Sequence, residues 1–252
     1  QTAFFQGGKK GWDGIDTNLP SVFDFKLWRT SQEVFTGKKP ARGLRDVLKY
    51  DGLYPNVNRV TTLTNNHDTD RFMSLPGATL EGAMLHTAFM LSTRGIPQLY
   101  YGEEIAMTGG HDPDNRRDFP GGFPGDKRDA FTRAGRTADE QKMFEHTKAW
   151  IEHRRRSPDA ADGIVIDVYY DDETYIFVRE VESHHGPLRT LVAINNSKAV
   201  KEVEIKHSAL YGFLVPLNSL ETHAQPISGR VSLKLAPRSP SVFLVANKYQ
   251  VR

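Results

Sequence analysis

The chain contains no cysteine among its 252 residues. Disulfides and thiolate metal sites are therefore excluded. The compartment is not, since secreted bacterial proteins often lack cysteine as well. An excess of one charge is also missing. Lysine and arginine total 33 against 31 aspartates and glutamates, for a formal net charge of +2. No broad basic stripe forms, so nucleic acid is not an expected partner. No apolar run approaches the roughly 18 residues of a membrane span. The first residue is Gln1 rather than methionine, and no signal-peptide pattern follows. That start reads as a truncation, a cleavage site or a cloning boundary. Localisation is left open by it, with the bacterial periplasm or exterior favoured over the cytoplasm.

What is present is an ordinary globular composition, 38% hydrophobic and 25% charged. The length allows one large domain or two ordinary ones. The apolar run Ser21 to Phe25 reads as a buried strand, and Leu27 to Phe35 as a helix stopping at Gly37. A short helix carries Leu44, Val47 and Leu48. Val60 to Thr64 is rich in β-branched residues and reads as a strand that runs into Asn65-Asn66-His67-Asp68. Leu80, Ala83, Met84, Thr87, Ala88 and Leu91 recur at helical spacing, with Leu85 and Phe89 widening the apolar face. Gly95 is expected to cap that helix. Ile96 to Tyr101 reads as the next strand. A long Gly- and Pro-rich loop, 102–126, follows; irregular loops of that length are more often functional than idle. Thr137 and Glu140 have the spacing of a capping box at the start of a helix that ends before Ser157-Pro158.

Strand and helix thus alternate about three times, the pattern of βα units on a parallel sheet. Near Gly163 the pattern changes. Ile164 to Tyr170 and Tyr175 to Val181 read as a hairpin. Leu188 to Ile194, Val203 to Ile205, Phe213 to Leu217, Val231 to Leu235 and Val242 to Ala246 follow as short strands. The expectation is an α/β part over residues 1–160 and an all-β antiparallel sandwich over residues 161–252.

The sharpest candidate for chemistry is Asn66-His67-Asp68, at the C-terminal end of a parallel strand. In βα-barrels active sites lie at that end. The alternative is a turn and cap, which these residue types also favour. Arg116, Arg117 and Asp118 read either as a substrate contact or as a solvated ion pair. Arg71 either meets substrate or pairs with Asp70 or Asp118. Glu103 and Glu104 are read as ordering their loop. Trp12, Phe119 and Phe123 either stack on a substrate or pack. His184-His185 has no further ligand at a telling spacing, so no metal site is assigned.

Three stretches in order carry a family resemblance. Asn66-His67-Asp68 resembles the fourth signature region of the alpha-amylase superfamily. Gly95-Ile96-Pro97-Gln98-Leu99-Tyr100-Tyr101-Gly102-Glu103-Glu104 looks like that superfamily's eighth barrel strand. His111-Asp112-Pro113-Asp114-Asn115-Arg116-Arg117-Asp118-Phe119-Pro120 is similar to the following loop in its neopullulanase and cyclomaltodextrinase branch. One departure is Leu63, where the family usually has phenylalanine; the position stays apolar.

The resemblance implies the C-terminal portion of a (β/α)8 TIM barrel, about strands six to eight, followed by the β-domain. It implies a retaining glycoside hydrolase acting on α-linked glucans such as starch, maltodextrin, cyclodextrin or pullulan. Asp68 would steady the positive charge on the sugar ring, and His67 would hydrogen-bond the same glucose. Asp112 and Arg116 would bind a neighbouring glucose, while Asn66 would shape the turn. The family's nucleophile and general acid precede the fourth region. Upstream of Asn66 there is no matching arginine-x-aspartate strand end, and the one glutamate is Glu33. The expectation is that strands one to five lie before Gln1, and that the chain alone is inactive and prone to self-associate or to bind its missing half. No cofactor is expected in this chain, with any calcium held by the upstream part. A non-catalytic amylase-fold protein for glucan binding or assembly is the competing reading.

Overall fold

A computed structural model describes residues 6–7, 19–157, 159, 162–184, 186–217 and 224–247. Trp12 and His185 lie outside the described residues.

The first part is a slice of parallel sheet with helices packed on one side. Helix α1 spans Phe25–Phe35 and α2 spans Arg42–Leu48. Strand β1 is Thr61–Leu63, α3 is Leu80–Ser92 and β2 is Ile96–Gln98. Helix α4 runs Ala138–Arg156. β1 and β2 pair in parallel, Thr61 opposite Ile96 and Leu63 opposite Gln98. On the other side of β1, Phe23 makes a parallel bridge to Thr61. Three parallel chain segments in the order expected from the sequence are therefore present, and the last two extend less far than their apolar runs. The segment Ser21 to Phe25 contributes a single bridge because α1 begins at Phe25. Asp24 ends it by accepting the Leu27 amide at 3.0 Å.

Local chemistry explains the helix boundaries. Thr79 caps α3 by accepting from the Gly82 amide. Thr137 and Glu140 form the reciprocal capping box on α4. Its last turn carries His153, Arg154, Arg155 and Arg156, where cations suit the dipole. Gly95 does not cap α3; Thr93 does. Glycine is required at 95 for another reason. Its φ is +92°, and a Cβ there would sit 2.4 Å from the Val60 carbonyl oxygen.

The second part is one six-stranded antiparallel sheet in the order β3-β4-β5-β8-β6-β7. The strands are β3 Ile164–Tyr170, β4 Thr174–Val181, β5 Leu188–Asn195, β6 Lys201–Pro216, β7 Gln225–Leu235 and β8 Ser239–Ala246. The two runs Val203 to Ile205 and Phe213 to Leu217 belong to one long strand, β6, whose pairing with β7 shifts register between Lys206 and Tyr211. The sheet folds over, so Ile176, Val178, Leu191 and Ala193 of β4 and β5 meet Val203, Ile205, Val231 and Leu233 of β6 and β7. The opposite face of β4 and β5 offers Tyr175, Phe177, Val192 and Ile194 to α1 and α3. There Phe35, Leu85 and Phe89 are fully buried. Each such side chain stabilises the fold by roughly 1.5–3 kcal/mol. This shared core seats the sheet on the helices.

Candidate active site

The site forms where β1 stops. Thr64 stays in the sheet through its amide, which donates to the Gln98 carbonyl at 3.0 Å. The chain then turns, and each polar residue of the turn has an assigned task. The Asn65 carboxamide oxygen accepts the Asn66 amide at 2.9 Å and the Thr69 hydroxyl. The Asn65 side-chain nitrogen donates to the Asp70 carbonyl at 2.9 Å. Asn66 accepts the Asp68 amide at 3.0 Å, which is the turn-shaping role implied by the resemblance. Two side chains are left free to point outward. His67 is 62% and Asp68 64% exposed at the side chain, with Nε2 and Oδ1 3.2 Å apart.

The loop after β2 closes on this turn. Arg116 lies 3.6 Å from the Asp68 carboxylate through Nη2 and 3.1 Å from Asp112 through Nε. The same Nε donates to the His67 carbonyl at 2.9 Å. All four predicted site residues, His67, Asp68, Asp112 and Arg116, are thus gathered into one exposed constellation. Arg117 turns the other way and pairs with Asp114 rather than Asp118.

Beneath the exposed layer lies a buried one, of which the sequence marks Arg71 and Glu103 but not Asn115. Asn115 is 1% exposed and donates to the carbonyls of His67 at 2.9 Å and Thr69 at 3.0 Å. Arg71 is fully buried. It donates to the Asn115 carbonyl at 3.0 Å and the Tyr101 carbonyl at 2.6 Å. Its guanidinium lies 4.6 Å from each of the Tyr100 and Tyr101 ring centres. Arg71 therefore supports the loop. Its carboxylate neighbour is Glu103 at 3.8 Å, in place of Asp70 or Asp118. Burial pushes the Glu103 carboxyl up to about 7, against the downward pull of Arg71 and of the Asn65 amide. Glu104 is also raised by burial. Among the described residues no group of three His, Asp or Glu side chains is placed to hold a metal ion.

A parallel βα sheet slice and an antiparallel β-domain thus place a His–Asp–Asp–Arg cluster at the C-terminal strand ends, where βα-barrels carry their active sites. Comparison with known proteins names the family. The family model for the alpha amylase catalytic domain matches residues 30–174, more than half of the chain, so the chain belongs to the alpha-amylase family. A cyclomaltodextrin glucanotransferase of Paenibacillus macerans is 31% identical over 178 residues, covering 70% of this chain and 22% of that protein. A cyclomaltodextrinase of Thermoanaerobacter pseudethanolicus is 28% identical over 149 residues, 59% of this chain and 23% of that protein. The chain thus spans about a fifth of the length of these relatives. Among solved structures, the acarbose complex of the Geobacillus thermoleovorans alpha-amylase superposes with a TM-score of 0.75 at 24% identity, covering 92% of this chain and 49% of that one. AmyP in complex with maltose gives 0.76 at 20% identity, covering 98% and 54%. These likenesses establish the fold: part of a TIM barrel followed by a β-domain.

Proposed function

We propose that this chain supplies the charge-stabilising carboxylate and the adjoining sugar contacts of an enzyme that hydrolyses or transfers α-linked glucans. The observation that carries this reading is the pairing of His67 with Asp68, both exposed, on a turn held by the Asn66 side chain at the Asp68 amide and by Asn115 at the His67 carbonyl. A carboxylate held this way keeps its position while the positive charge of an oxocarbenium-like sugar develops beside it. His67 donates to hydroxyls of that sugar. Asp112 and Arg116 form a donor–acceptor pair for the next glucose. Residues 1–160 carry the chemistry, and residues 161–252 act as a structural cap on it.

Retaining chemistry also needs a nucleophile and a general acid. We assign neither to this chain, because its sequence upstream of Asn66 has no arginine-x-aspartate strand end, and among the described residues Asp24, at the end of the Phe23 segment, is tied to the Leu27 amide and to Arg94. The flank of β2 is suited to receive the elements that would bring them. A groove of about 320 Å³ there is lined by Leu99, Tyr100, Tyr101, Phe144, Thr147 and Ile151, among others. Ile96 on the same strand is 51% exposed. An apolar strand flank of this kind favours pairing with another barrel segment or with a second copy.

Two measurements test the reading. The purified 252-residue chain is expected to release no maltose from maltodextrin; measurable release overturns the split assignment. In an enzyme carrying this chain within a complete barrel, Asp68→Asn is expected to lower kcat by roughly a hundredfold or more. Unchanged kcat would favour the glucan-binding alternative instead.

A further inference from the structure

The loop after β2 presents a second feature, a few residues beyond Arg116. Phe131 is 64% and Phe123 61% exposed. Such rings on a frayed segment would signify little. These are on a built one. The Phe131 amide donates to Asp129 at 3.0 Å. Arg136 holds the carbonyls of Ala130 at 3.0 Å and Phe131 at 3.3 Å. The Ala130 amide returns to the Pro120 carbonyl at 2.7 Å. One side of the Phe131 ring is backed: its centre lies 4.5 Å from that of Phe119, and a Cβ on Gly122 would meet its edge at 3.3 Å. Gly122 has φ +99°, so glycine both permits the turn and lets the ring lie against the backbone. Phe123 follows directly, in a turn closed by its amide on Asp126 at 2.9 Å.

We propose that Phe131 and Phe123 form an aromatic platform that takes additional glucose units of an α-glucan beyond those met by Asp112 and Arg116. This rests on the glucan reading above. A largely exposed flat ring fixed by its neighbours matches the apolar C–H face of a pyranose, and fixing it lowers the entropy cost of ordering it on binding. Position supports the assignment. Arg116 and Phe119 are three residues apart, so their Cα atoms are within about 11 Å. Phe119 is the residue on which Phe131 rests. One oligosaccharide can therefore span the polar pair and the platform.

The test is titration of the 252-residue chain with maltotriose and with maltoheptaose, read by calorimetry and by NMR shifts. Phe131→Ala and Phe123→Ala are expected to weaken maltoheptaose binding by roughly tenfold and maltotriose binding less. Phe131→Trp, which keeps a flat ring, is expected to retain it. Loss of affinity in Arg116→Ala, with both phenylalanine variants binding as the parent does, overturns the platform and leaves the polar site standing. Loss in the phenylalanine variants, with Arg116→Ala and Asp68→Asn unaffected, supports the platform and counts against the polar site. No binding by the parent chain overturns the platform, while the role of Asp68 is still decided by the turnover experiment. A change of oligomeric state in Phe131→Ala without a change in sugar affinity also overturns it, since the surface is then a protein contact.

Discussion

The side-chain nitrogen of Asn115 donates to the carbonyl of His67 at 2.9 Å, and through its second hydrogen to that of Thr69 at 3.0 Å. One buried amide therefore straddles Asp68 from the loop that also carries Asp112 and Arg116. Removing it leaves the Thr69 carbonyl without that donor and the His67 carbonyl with Arg116 Nε alone. Asn115→Ala is expected to destabilise the chain by roughly 1–3 kcal/mol. It should also speed amide exchange at Asp68, whose own N–H depends on the turn staying closed. Asn115→Asp should do worse, because a carboxylate would face two carbonyl oxygens. Denaturant melts with hydrogen exchange read both; native exchange at Asp68 in either variant would count against the clamp.

Glu103 gives the site a pH dependence whose sign follows from its burial. Its carboxyl is pushed up to about 7 in the folded chain, against about 4.3 when unfolded. The folded state thus holds a proton that the unfolded state releases. The stabilisation from that proton is full below about pH 4.3 and is lost as pH rises through about 7. Glu103→Gln removes the titration. The variant is expected to gain on the parent between pH 5 and pH 8, by about 2 kcal/mol. Parallel stability curves for the two proteins across that range would rule this out.

The exposed layer of the site was legible from the sequence and the contacts of the buried layer were not, for a physical reason. Asn66-His67-Asp68 follows directly on a β-branched strand, which marks it by position, whereas Asp112 and Arg116 are marked only by the resemblance of their loop to that of the amylase family. Asn115 acts on backbone carbonyls 48 and 46 residues away. Any residue presents a carbonyl, so the partner leaves no trace in the sequence. Arg71 illustrates the same limit. Asp70 is its neighbour in sequence, whereas folding brings Glu103 and the carbonyls of Tyr101 and Asn115 to it. In the fold, the Thr137–Glu140 box and the alternation of Val231, Leu233 and Leu235 could be read directly. The single long β6 could not, because its register shift interrupts the period on which strand recognition depends.

His86 makes the fold sensitive to acid. It is 1% exposed, with its ring stacked on Phe72 at 5.1 Å, and burial lowers its pKa to about 3. The unfolded chain takes up a proton near pH 6.5 while the folded one does not. Stability is therefore full above about pH 6.5 and is lost as pH falls towards about 3. By pH 5 the loss from this residue is about 2 kcal/mol. His86→Leu, close in volume and without a titrating group, should remove that part of the slope. Equal acid sensitivity of parent and variant between pH 7 and pH 5 would assign the effect elsewhere.

Arg94 ties three parts of the sheet slice together. It is 1% exposed and lies 2.8 Å from Asp24 and 2.6 Å from Asp51. Asp24 is the residue that caps α1, and Asp51 is already raised by burial, with Arg94 opposing the rise. Arg94→Met would fill a similar volume but leave two carboxylates facing each other without a cation. The expected loss is about 3–5 kcal/mol at neutral pH. The loss should shrink at low pH, because Asp51, already raised by burial, can then take up a proton in the folded state. In the variant, stability should fall as pH rises from about 4 towards neutrality. Adding Asp51→Asn should restore part of it. Melts of the single and double variants at pH 4 and pH 7 distinguish this from simple loss of packing, which would give the same deficit at both.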